Sequence, residues 1–160
     1  MNPRQTLIAL EGALANAATH LGAPFQLATR LWVGWVFVKS GWLKVGDWSQ
    51  TLSLFETEYR VPLLAPHAAA YAGAAGELVF GTLVIVGLAG RLGPLGLFAV
   101  NLLAFISYRH VLLGDGFEAA LGQHLLWGFM LLTLVVHGPG GWSLDRLLGA
   151  TRPPRGAAIA

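Results

Sequence analysis

Four stretches of this chain carry apolar residues with little interruption, at about 25–44, 67–90, 92–113 and 119–137. Some 20 apolar residues at ~1.5 Å rise cross the roughly 30 Å of bilayer hydrocarbon, so each stretch predicts a transmembrane helix. Residues 1–23 follow another pattern. Leu7, Leu10, Leu14, Ala17 and Leu21 recur at helical spacing, with Gln5, Glu11, Asn16 and His20 elsewhere around the helix. That spacing predicts an amphipathic helix lying on the membrane surface. The small residues from Ala13 to Ala18 imitate a signal peptide, but Glu11 interrupts the apolar centre and only Arg4 precedes it.

Between the first two spans, from Asp47 to Pro66, charge returns with Asp47, Glu56, Glu58 and Arg60. Trp48, Leu52, Leu54 and Phe55 within it predict an interfacial turn or two of helix, and Pro62 and Pro66 stop it. A loop of this length is suited to capping one mouth of a bundle. A short turn at Gly90–Arg91 separates spans two and three, and Gly138-Pro-Gly-Gly ends span four. The expected architecture is an all-α membrane protein. Its single domain, residues 24–149, is a four-helix transmembrane bundle with an N-terminal amphipathic interfacial helix before it. A long, partly helical extracytoplasmic loop joins the first two spans, and residues 150–160, with Pro153 and Pro154, read as a disordered tail.

The second span concentrates the interest. Glu77 is its one residue charged at neutral pH, about 15 Å along the helix from His67 and so near mid-membrane. A carboxylate at that depth faces protein, is neutral, or has a partner. Gly73, Glu77 and Gly81 fall at i, i+4 and i+8, a stripe that lets another helix approach closely. Gly34 and Gly41 share a face of the first span. Glu77 therefore points into a helix–helix contact, and Lys39 is the expected counter-ion from the first span.

Composition agrees with the pattern. Of 160 residues 55% are hydrophobic and only 11% charged, less than half the share usual in soluble domains. Net charge is +2 with no basic stripe, so nucleic acid is not an expected partner. With no cysteine, the chain has no disulfide, thiol relay or iron–sulfur ligation of its own. Arg4, Arg30, Arg91, Arg146, Arg152 and Arg155 fall on the side of the termini, against Glu11 and Asp145. The opposite side has Lys44, Arg60 and Arg109 against Asp47, Glu56, Glu58, Asp115 and Glu118. The positive-inside rule then predicts a multi-pass membrane protein with both termini cytoplasmic.

Placed by depth, Lys39, His67, Tyr108, His110, Gln123 and His124 approach the outer mouth, with Glu77 and Asn101 at the floor. Lys39, Glu77, Asn101, Tyr108 and His124 are the candidate ligand-binding cleft, suited to a headgroup or a quinone ring. A purely structural reading competes with it: a buried Lys39–Glu77 ion pair and interfacial histidines holding helices in register. Metal is the weaker candidate. His67, His110 and His124 could converge near the outer loop, but no pair sits at ligand spacing on one helix. Arg30 lies near enough to the start of its span to snorkel to the headgroups. No nucleophile elbow or serine with a credible base occurs, and no catalytic residue is assigned.

Several of these pieces in order resemble the DoxX family of small four-helix bacterial inner-membrane proteins. They are Arg30 with Gly34–Lys44 (GWVFVKSGWLK), Phe55 followed by Val61-Pro62, Glu77, the Gly87-Leu-Ala-Gly-Arg91 turn and the ending Gly138-Pro-Gly-Gly-Trp-Ser-Leu-Asp145. The likeness covers residues 25–149. It implies a helical bundle in the inner membrane, with Arg30, Lys39, Glu77, Arg91 and Asp145 as the matching polar residues. Arg91 and Asp145 read as a structural clasp at the end of the fourth helix. The family resemblance further implies membrane oxidoreductase complexes, a thiosulfate:quinone oxidoreductase subunit among them, and, for other members, proximity to copper handling.

Three functions follow as expectations. The first is a subunit or partner of a membrane redox system, binding a quinone or lipid headgroup between Lys39 and Glu77; any enzymatic activity would be that of an oxidoreductase subunit. The second is a non-enzymatic membrane partner in copper handling or stress response. The third is a small proton-coupled exporter. Membrane lipids, a redox or metal-handling protein and a second copy of the chain in a homodimer are the expected partners.

Overall fold

The computed structural model describes residues 2–149, and the expected tail, 150–160, lies outside them. The described residues form six helices and no strand. α1 spans Pro3–Gly46, α2 Trp48–Thr57, α3 Pro66–Val86, α4 Leu92–Leu112, α5 Glu118–His137 and α6 Leu144–Leu147. α3, α4 and α5 are each long and apolar enough to cross a membrane. Glu77 stands at the middle of α3, as its place in the apolar run requires.

The largest departure from the sequence pattern is α1. The surface segment and the first span are one unbroken helix of 44 residues, which passes through Pro24. Asn2 caps it, its Oδ1 accepting from the Arg4 amide at 3.3 Å, and Pro3 takes the first-turn position where no amide is needed. Residues 3–21 are exposed along their whole length; burial begins at Thr29 and Arg30 and continues at Val33, Gly34, Phe37 and Gly41. That 3–4 spacing marks one face, and the face is turned onto α3.

From there the C-terminal half of α1, α3, α4 and α5 close a ring, α1 packing on α3 and α5, and α4 between α3 and α5. Val33, Phe37, Val84, Leu97, Leu131 and Leu134 meet in its centre. The α1–α3 contact is backbone-close. A Cβ placed on Gly81 would lie 3.2 Å from the Gly34 carbonyl oxygen, and one on Gly34 3.0 Å from that of Gly81. In lipid, where burying leucine gains little, such approach supplies packing that bulkier residues would prevent.

The turns explain why the spans end where they do. α3 stops at Val86 because Gly87 adopts the left-handed conformation, φ +69°, so the turn to α4 runs through 87–91 and begins earlier than Gly90. The clasp expected at the end of the fourth span forms with other partners than Arg91. Asp145, buried, accepts from the amides of Ala89 at 3.2 Å and Gly90 at 2.5 Å, and its own amide donates to the Gly87 carbonyl at 3.1 Å. Arg91 is exposed and donates instead to the Val136 carbonyl at 3.2 Å. Nor does Arg30 snorkel: it is 1% exposed, lies beside Gly87 and Ser143, and donates to the Trp142 carbonyl. Burying it at the carbonyl end of α3 places a cation where the helix dipole favours one.

Candidate functional site

On the other side of the bundle α2 and the 58–65 segment lean over the ring. Asp47 starts α2, accepting from the Gln50 amide at 3.0 Å. The buried ring of Phe55 then seats on Ala69 and Ala70, with Trp48, Leu52, Tyr59 and Val61 around it. The Arg60 amide donates to the Ser107 carbonyl at 2.9 Å and ties the segment to α4. Beneath lies a cavity of about 340 Å³. Its walls come from α1, α2, α3, α4 and α5, and are mostly apolar or aromatic. Small residues make the room, Ala69, Ala72 and Gly73 on α3 and Ala104 on α4.

The polar end of the cavity is a network around Glu77. The counter-ion is Lys44, which replaces Lys39 in the role expected for it: Nζ donates to Oε1 at 2.9 Å and to Oε2 at 2.8 Å. Its third N–H goes to the Ser40 hydroxyl at 2.8 Å, and Ser40 donates to Oε1 at 3.2 Å. Glu77 is 6% exposed, so a carboxylate there needs this pairing. Lys39 is exposed and does not line the cavity. Depth suggested Lys39, but helical phase decides. Phe37 and Gly41 continue the buried face, Lys44 follows in the same phase, and Lys39 falls on the opposite side of the helix. Lys44 is also aided by direction, because helix side chains lean toward the N-terminus and so carry its ammonium down toward Glu77.

Of the other expected cleft residues, His124 and Tyr108 line the cavity and Asn101 does not. Asn101 is buried behind His124 and holds it twice: Nδ2 donates to the His124 carbonyl at 3.0 Å, and Oδ1 faces ring Nδ1 at 2.9 Å. Trp127 packs edge-on against the His124 ring at 5.2 Å. At the mouth Tyr59 stands edge-on to both Phe55, 4.8 Å away, and Tyr108, 5.2 Å away. Burial, with Tyr108 and the Glu77 and Glu58 carboxylates nearby, pushes the Tyr59 phenol up, so it keeps its proton at physiological pH.

The three histidines expected to converge do not. His67 pairs with Glu56 on the exposed surface at 3.2 Å, His110 is exposed against the Tyr108 ring, and His124 is held by Asn101. Among the described residues no three His, Cys, Asp or Glu side chains gather at metal-binding distance. Phase along each helix separates them, although depth alone put them at one level. Lys44, Ser40, Phe55 and Tyr59 were not among the expected cleft residues. Ser40 and Lys44, at i and i+4 on the inward face of the first span, were the available signal.

Neither the curated proteins nor the solved structures include a match to this chain. A family model, described as DoxX, matches residues 25–110, which takes in α2, α3, most of α4 and the packed half of α1. Of the residues that line the cavity, all but His124 and Trp127 lie inside that match, and the chain belongs to the DoxX family.

Proposed function

We propose that the protein is a four-span inner-membrane protein that binds a quinone-type ring in the outer cavity, as a subunit or partner of a membrane redox system. The observation that carries this reading is the cavity itself: about 340 Å³, apolar and aromatic on its walls, with one partly buried Lys44–Glu77–Ser40 network at its end. A lipid-soluble ring with oxygen substituents matches that division, because its tail and faces need apolar walls and its oxygens need a polar end. Intramembrane ionisable groups lining a cavity commonly mark such sites.

The packed half of α1 serves as the fourth span, beside α3, α4 and α5. The arginine excess on the side of the termini supports cytoplasmic ends and an outward-facing cavity. Residues 3–21 continue α1 beyond its packed half as an exposed helix with an apolar stripe. The test is a titration of the purified protein with a decyl-tailed benzoquinone in detergent, for the wild type, Glu77→Gln, Lys44→Met and Lys39→Met. Binding weakened by the first two substitutions and kept by the third supports the site. Undiminished binding to folded Glu77→Gln and Lys44→Met would sink it.

A further inference from the structure

Hydrogen-bond capacity inside the cavity is lopsided. Lys44 has three N–H groups, and all three are spent on Glu77 and Ser40. Ser40 donates its one proton to Glu77, and Ser107 donates its own to the Leu103 carbonyl at 2.6 Å. The Glu77 carboxylate has about four lone-pair positions. Three bonds reach it, which leaves one acceptor position free on a residue that lines the cavity.

His124 adds a second acceptor, and its tautomer follows from Asn101. The His124 carbonyl can only accept, so the Asn101 atom bonded to it is the amide nitrogen. The other Asn101 atom is then Oδ1, which can only accept, so ring Nδ1 bears the hydrogen. In the neutral ring this leaves Nε2 with a bare lone pair. No acid is bonded to the ring, whose neighbours are Asn101 and Trp127.

Two acceptors, Glu77 and His124, thus line a cavity whose strongest donor is already engaged. Tyr59 and Tyr108 do not discriminate, because a hydroxyl rotates to donate or accept. The Trp127 indole N–H can only donate, and it serves a hydroxyl oxygen as well as it serves a carbonyl. Only a ligand that brings its own hydrogens satisfies His124 and Glu77. Resting on the quinone-type reading above, we infer that the cavity selects the reduced, dihydroxy form of such a ring, the hydroquinone, over the quinone, with His124 as the specificity-determining acceptor. A quinone carbonyl would set lone pair against lone pair at Nε2; a ring hydroxyl donates to it.

The test uses three probes on the full chain in detergent under argon, read by quenching of tryptophan fluorescence. The probes are a decyl-tailed benzoquinone, its hydroquinone, and the dimethyl ether of that hydroquinone, which keeps the oxygens and loses the hydrogens. The hydroquinone is expected to bind about tenfold or more tighter than the quinone, the size of one buried acceptor left unpaired. The ether is expected to bind no better than the quinone. In His124→Leu the preference should collapse toward parity while quinone affinity is largely kept. A purely structural role for His124 would lower both affinities together and overturn the assignment. The wild-type comparison stands whether or not that variant folds. Equal or tighter binding of quinone, or an ether that binds like the hydroquinone, would overturn the selectivity and leave the pocket reading intact. Failure of all three probes to bind would overturn both.

Discussion

Replacing Lys44 with methionine keeps the length of the side chain and removes the cation that answers Glu77. The carboxylate is 6% exposed and would then keep only the Ser40 hydroxyl as donor. Breaking a buried ion pair from one side costs about 3–5 kcal/mol. The Lys44 side chain, however, is 19% exposed beside an open cavity, so solvent already screens part of the interaction. We expect a loss of roughly 2–4 kcal/mol. Glu77→Gln should cost less, about 1 kcal/mol, because the amide still bonds Ser40 and the partly exposed ammonium can turn toward solvent. The informative variant is the double one. Lys44→Met with Glu77→Gln leaves no buried charge, so it should be more stable than Lys44→Met alone by about 1 kcal/mol or more. Lys39→Met, on the exposed face, should change stability by no more than ~0.5 kcal/mol. Unfolding by sodium dodecyl sulfate in mixed micelles, followed by the fluorescence of the six tryptophans, measures all four variants in one format. If the double variant lost the sum of the single losses, or if Lys39→Met fell as far as Lys44→Met, the pairing argued above would be wrong.

Asp145→Ala should cost about 2–4 kcal/mol in the same titration, since it strands the Ala89 and Gly90 amides; Asp145→Asn, which can still accept one of them, should recover part of the loss. Gly81→Leu should cost about 1–3 kcal/mol or more, because a Cβ there meets Val38 Cγ2 at 2.8 Å and the Gly34 carbonyl oxygen at 3.2 Å. A cysteine pair across α1 and α3 that crosslinks in the wild-type background and fails with Gly81→Leu would locate the damage. Leu63 is fully exposed with φ +67°, so Leu63→Gly should leave stability unchanged or raise it by up to ~1 kcal/mol; a clear loss would mean that the leucine side chain has a partner.

Much of the fold was legible in one dimension. Runs of apolar residues located α3, α4 and α5 to within a few residues, because crossing hydrocarbon demands a set length of helix whatever the neighbours. The glycines at 34, 41 and 81 announced a close helix contact, and Glu77 announced that its helix had an inward face. Both are local properties of spacing. The surface segment was misjudged in its boundary: nothing in the chemistry of residues 22–25 shows that α1 runs on through Pro24 as one helix.

The identity of each partner belonged to the tertiary structure. Depth along a helix can be counted from the sequence, but rotation about its axis relative to a neighbour is set where helices cross, here at Gly34 against Gly81. That crossing turns Lys44 rather than Lys39 toward Glu77 and leaves His67 and His110 outside the cavity. Asp145 shows the same limit from the other side, because its partners are backbone amides, which every residue carries and no sequence pattern marks. The chain by itself determined that an acid lies buried in the membrane; the packing of α1 on α3 decided which base answers it and what room is left beside the pair.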